Sequence, residues 1–200
     1  MNHLAHALLS GPDKAIQLGG WLGDFVRGRI DSELPIGVQR GIALHRAIDT
    51  FTDSHAEIRS LRALFEPAYR RYAGILVDIW FDHLLARDFS RWSEIPLHVF
   101  SDASRKLLDD NISMLPDSLH RFGRYMHARN LPAAYADREM ISEVLVGVSA
   151  RFKRENPLAQ GLIEISRLEH ELAEAFAGFF PQLVGFAAQW RAESSPTEFT

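Results

Sequence analysis

His45, Asp49 and Asp53 follow one another at four-residue steps. On a helix they share one face, each about 40° round from the last. An imidazole and carboxylates aimed to one side can hold a divalent metal ion. The opposite stripe, Ile42, Leu44, Ile48 and Phe51, is apolar and supplies burial. A second segment, Gly74 to Arg87, sets Asp78 and Asp82 four apart with His83 adjacent, in otherwise apolar company where carboxylates need partners. Together with His6 and Asp24, these residues form an imidazole and carboxylate set on four predicted helices: His6, Asp24, His45, Asp49, Asp78, Asp82 and His83. Oxygen and nitrogen donors without sulfur suit Mn²⁺, Mg²⁺, Fe²⁺ or Zn²⁺, and several carboxylates favour the harder ions. Such an ion lowers the pKa of a bound water to around 7 and polarises a phosphoryl oxygen, which is the chemistry of phosphate ester hydrolysis. Arg27 and Arg46 adjoin the acids, and a guanidinium is a natural clamp for phosphate charge.

Each of these features also has a purely structural reading. The His45 helix can carry i, i+4 surface pairs, and Asp78 and Asp82 can be buried partners of Arg46 or Arg71. His55, His98, His120, His127 and His170 are assigned no chemical role. His170-Glu171 lacks a second histidine four residues on, and the chain has no phosphate-binding glycine loop or nucleophile elbow.

The elements that must position the set are all helical. Residues 3 to 9 form a short apolar helix with His3 and His6 one turn apart, and Asp13 caps the next, which runs from Ile16 to Arg27. Pro35 leads into the His45 helix, Pro67 opens the longest helix, reaching about Phe89, and Pro116, Pro132 and Pro157 separate segments of helical spacing. Pro181 begins a last helix or kinks the one before it. No alternating strand pattern or internal repeat is present. The expected architecture is all-α, a single multi-helix domain over residues 1 to 192 with a fraying tail at 193 to 200.

Composition narrows the function. The chain has 200 residues, 46% of them hydrophobic, enough for one substantial core. The absence of cysteine removes thiolate metal sites and cysteine nucleophiles. No basic-then-apolar leader and no span-length apolar run is present, so a cytoplasmic protein that does not enter a membrane is expected. A formal charge of −4 argues against a nucleic-acid partner, although 19 of the 22 cations are arginine, suited to phosphate and carboxylate contacts.

Several of these residues carry a resemblance. Met1-Asn2 with Leu4-Ala5-His6, the run Asp24 to Gly28, Gly41-Ile42 with His45-Arg46 and Ile48-Asp49, Thr52-Asp53, Asp78 with Asp82-His83, Leu115-Pro116 and Phe179 to Pro181 are similar to the acyl-carrier-protein phosphodiesterases. The resemblance covers nearly the whole chain. It implies hydrolysis of the phosphodiester joining 4′-phosphopantetheine to a serine of holo-acyl carrier protein, with Mn²⁺ as the preferred metal and an HD-phosphohydrolase-like helical core. His6, Asp24, His45, Asp49, Asp78 and Asp82 would then be metal ligands, with Asp24, His83, Arg46 and Arg27 taking part in catalysis. Asp82-His83 reverses the usual His-Asp order, and His3 stands where an aromatic residue is expected, so ligand roles do not transfer position by position. Arg27, Arg29, Arg40, Arg59 and Arg62 would form a basic face for an acidic carrier protein. The alternatives are a phosphohydrolase acting on a nucleotide or another phosphodiester, and a helical adaptor without enzymatic activity.

Overall fold

The structure is a computed structural model and describes residues 1–193. Among them are eleven α-helices and no strand. In chain order these are α1 (His3–Leu9), α2 (Lys14–Leu22), α3 (Ile36–Ser54), α4 (Ala56–Ala63), α5 (Pro67–Arg70), α6 (Ala73–Arg87), α7 (Leu97–Asp110), α8 (Asp117–Arg129), α9 (Arg138–Ser149), α10 (Gly161–Arg167) and α11 (Glu169–Glu193). Beyond Glu193 the expected tail lies outside the described residues. No helix among them is long and apolar enough to cross a membrane.

The all-α expectation holds, and the boundaries that differ have local causes. Asp13 caps α2 as expected, accepting hydrogen bonds from Ala15 N at 2.8 Å and Ile16 N at 3.1 Å. That helix stops at Leu22, however, so Asp24 to Arg27 lie on the turn beyond it. The helix opened by Pro67 breaks after Arg70 and restarts at Ala73. The longest helix is therefore α11, whose 25 residues run through Pro181.

The centre of the molecule is α6. Leu76, Val77, Trp80, Phe81 and Leu85 have no exposed surface, as befits a helix apolar on nearly every side. It packs against α1, α9 and α11. The tightest pairing is between α2 and α3. Gly19 and Gly41 meet there: a Cβ on the first would overlap the Val38 carbonyl oxygen, and on the second the Ile16 carbonyl oxygen. This contact brings the end of α2 against the middle of α3, which carries His45 and Asp49.

Candidate metal and phosphate site

α1 and α3 supply a three-residue group. One donor atom from each of His6, His45 and Asp49 lies within 4.8 Å of the other two. His6 Nε2 stands 3.1 Å from Asp49 Oδ1, and His45 Nε2 stands 3.3 Å from Asp49 Oδ2. Both imidazoles are buried, while Asp49 is partly open. His45 is oriented from behind. Its Nδ1 lies 2.9 Å from the Gly20 carbonyl oxygen, and because a carbonyl only accepts, Nδ1 carries the proton and donates it there. That arrangement turns Nε2 toward the carboxylates, the same second-sphere device that holds metal-ligating histidines in place. Gly23 makes room for the ring: a Cβ at this position would run into the imidazole.

Asp24 adjoins the group. Its Oδ1 is 3.4 Å from His45 Nε2 and its Oδ2 is 3.2 Å from His3 Nδ1. Burial would raise the Asp24 pKa, but the two histidines outweigh it and hold the carboxyl well below the usual range. Asp49 behaves alike: burial is overcome by hydrogen bonds from His45 and His6. Both acids are ionised at neutral pH, as metal ligation requires.

The other residues singled out from sequence stand elsewhere. Asp82 is fully buried, and its carboxylate accepts the backbone amides of Leu4 at 2.7 Å and Ala5 at 3.0 Å, so it caps the N-terminal end of α1. Burial pushes its pKa up to about 7 against those two amides. Asp78 faces the α-amino group of Met1, 3.4 Å away, which also stands 3.3 Å from Asp49 Oδ1. His83 projects from a different side of α6. Its Nδ1–H donates to the Tyr135 carbonyl at 2.8 Å, and its ring lies against Trp80. Neither acid of α6 is paired with Arg46 or Arg71. Arg46 donates instead to the Val26 carbonyl oxygen at 3.0 Å, which ties α3 to the turn bearing Asp24, while Arg27 is exposed. Asp53 leaves the group and pairs with Arg62 at 2.8 Å. Of the expected basic face, Arg62 is thus spent on Asp53, and Arg40 donates to the Arg191 carbonyl oxygen.

A cleft of about 840 Å³ opens beside the group, with Met1, His3, Asp24 and Asp78 among its lining residues. From α8, Ser118, Arg121, Phe122 and Tyr125 line it at i, i+3, i+4 and i+7. The role of His3 was not legible beyond its spacing from His6. In the fold its ring lies 4.4 Å from Phe122 and 5.8 Å from Trp21, centroid to centroid, which places the His3 and Asp24 pair on the wall of the cleft.

A family model described as acyl carrier protein phosphodiesterase matches residues 1–183. Over 185 residues the chain is 31% identical to the acyl carrier protein phosphodiesterase of Serratia proteamaculans, covering 92% of this chain and 96% of the relative. It is 33% identical over 193 residues to the protein of the same name from Escherichia coli K12, covering 94% of this chain and 98% of that one. No solved structure matches the chain.

Proposed function

The chain belongs to the acyl carrier protein phosphodiesterase family and is an enzyme of that type, and we propose that it hydrolyses the phosphodiester between 4′-phosphopantetheine and the carrier serine of holo-acyl carrier protein, using a divalent ion. The observation that carries this reading is the convergence of His6, His45 and Asp49 beside a cleft into which Asp24 faces.

Two nitrogen donors and a carboxylate suit Mn²⁺, with Fe²⁺, Zn²⁺ and Mg²⁺ as the other choices. His6, His45 and Asp49 would hold the ion, with Asp24 beside them. When bound, the ion supplies Lewis acidity toward the phosphoryl oxygens and a water acidified to a pKa of about 7. The chain's own residues do the rest. The Gly20 carbonyl fixes the His45 ring so that Nε2 faces Asp24 and Asp49. Asp24 Oδ2, held by His3 Nδ1, presents an ionised oxygen on the cleft wall where a water can be oriented by hydrogen bonding. The leaving serine oxygen needs a proton. His83 is committed to the Tyr135 carbonyl, away from the group, whereas His3 lines the cleft beside Asp24.

The test is direct. Purified protein is incubated with holo-carrier protein and Mn²⁺, and the carrier is weighed by mass spectrometry. Loss of the whole prosthetic arm with its phosphate, yielding apo-carrier protein, is expected. An unchanged carrier mass under metal-replete conditions would rule the reaction out.

A further inference from the structure

The cleft reaches well beyond the ion-holding group. Its outer wall is α9, from which Val144, Gly147 and Val148 face inward at i, i+3 and i+4, with Arg151 on the turn just beyond the helix. Together with the α8 stripe and with Ile75 and Ile79 of α6, this makes a trough whose sides are apolar and whose other end carries Asp24, Asp78 and the His3 imidazole. In a core these stripes would close on one another. Here Gly147 is exposed, and a Cβ added to it meets nothing within 4 Å. Polar groups are spaced along the trough: among the described residues, the side chains of Asn2, Ser118 and Tyr125 make no hydrogen bond, and Arg121 and Arg151 make neither a hydrogen bond nor an ion pair.

We propose that this trough between α6, α8 and α9 seats the pantetheine arm, running outward from the His3 and Asp24 pair, with Arg121 and Arg151 meeting the acidic carrier at the rim. The proposal rests on the reaction assigned above and names the part of the molecule that selects its substrate. The chemistry of the occupant fits the lining. A pantetheine arm alternates short methylene and methyl stretches with neutral amides, so it needs apolar walls interrupted by unspent donors and acceptors. Its one anionic end is the phosphate, which belongs at the ion-holding end. The unpaired guanidiniums supply the charge complement for carboxylates on the protein that carries the arm.

The experiment fills the trough without touching the catalytic group. Gly147→Trp grows an indole into open space on an exposed helical position, where losing glycine also favours the helix. Gly185→Trp adds the same bulk on α11, where a Cβ likewise meets nothing and no cleft residue lies. The first readout needs no turnover: saturation-transfer NMR with pantetheine, which lacks the phosphate, on metal-free protein. Transfer to the arm's methyl and methylene protons is expected with the unaltered chain and Gly185→Trp, and it should fall several-fold with Gly147→Trp. Equal transfer to all three proteins, or none to the unaltered chain, overturns the proposal. The second readout is hydrolysis of holo-carrier protein, where Gly147→Trp should raise KM about tenfold and Gly185→Trp should not. Unaltered kinetics in Gly147→Trp also overturn the proposal. An unaltered chain that binds pantetheine but leaves holo-carrier protein intact defeats the assigned reaction while upholding the trough, so the two failures are told apart.

Discussion

The imidazoles of His6 and His45 are stacked, with ring centroids 3.6 Å apart and planes 11° from parallel. Two charged rings at that distance would repel, and the chain charges only one of them. Burial and the adjacent His45 push His6 down to about 3. Burial also opposes charge on His45, but Asp24 and Asp49 outweigh it and lift that ring to about 9. Near pH 7 the metal-free protein therefore holds a proton on His45 where a cation would sit. Divalent ion binding at pH 7 should release about one proton per ion, and affinity should climb as pH rises toward 9. Calorimetric titration of Mn²⁺ in buffers of different ionisation enthalpy reads this number. Zero released protons would take His45 out of the ligand set. The same shifts set the stability of the metal-free chain. The His45 contribution is complete below about 6.5 and lost as pH rises through 9, whereas the neutral burial of His6 costs stability as pH falls from about 6.5 toward 3.

Asp49 and Asp24 should separate in mutants. Asp49 touches both histidines and belongs to the three-donor group, so Asp49→Asn is expected to abolish both metal retention and turnover. Asp24 stands at the edge of that group and on the cleft wall. Asp24→Asn should cost roughly 10- to 100-fold in activity, the usual penalty for a residue that orients a metal site. Metal content by elemental analysis and turnover of holo-carrier protein, measured on both variants, give the comparison. Circular dichroism should show the helices intact in each.

What the sequence could and could not show follows from the range of the forces involved. The i, i+4 step of His45 and Asp49 is a local property of one helix, so their shared face could be read directly, and α1 with His6 was bounded by its own apolar pattern. The destination of Asp82 was not local. A buried carboxylate on an apolar helix looks the same whether it meets an ion or two amide groups 77 and 78 residues away, and here it meets the amides. His83 illustrates the angular side of the problem: adjacent helical residues diverge by about 100°, and here Asp82 turns to the α1 amides while His83 turns to the Tyr135 carbonyl. Gly23 carried a signal that composition alone does not translate, since its close approach to an imidazole 22 residues later appears only once α2 and α3 are paired.

Gly23 permits His45 to occupy its position, which makes it the most sensitive small residue near the site. Gly23→Ala puts a methyl group into the imidazole, and the clash is with a ring already fixed by Gly20, Asp24 and Asp49. Overpacking of this kind costs about 1–3 kcal/mol, and the displaced ring should also weaken Mn²⁺ binding. Gly123 on α8 is the control, because a Cβ there meets nothing. Gly123→Ala should be neutral or stabilise by up to about 1 kcal/mol through helix propensity. Thermal melting with and without Mn²⁺ distinguishes the two. A Gly23→Ala protein with unchanged melting temperature and unchanged metal response would mean that the ring yields freely.

Asp82 offers the sharpest contrast between a structural and a ligand role. Its carboxylate supplies acceptors for the Leu4 and Ala5 amides at the start of α1, the helix that delivers His6. Asp82→Ala strands two buried N–H groups, a loss of about 1–3 kcal/mol for each unsatisfied donor. The damage should appear first as a lower denaturation midpoint in urea. Once the variant is saturated with Mn²⁺ at a temperature where it remains folded, its turnover should stay within a few-fold of the unaltered chain, because no Asp82 oxygen belongs to the three-donor group. If Asp82→Ala kept full stability but lost its metal, the carboxylate would have to leave the α1 amides in solution and serve the ion instead.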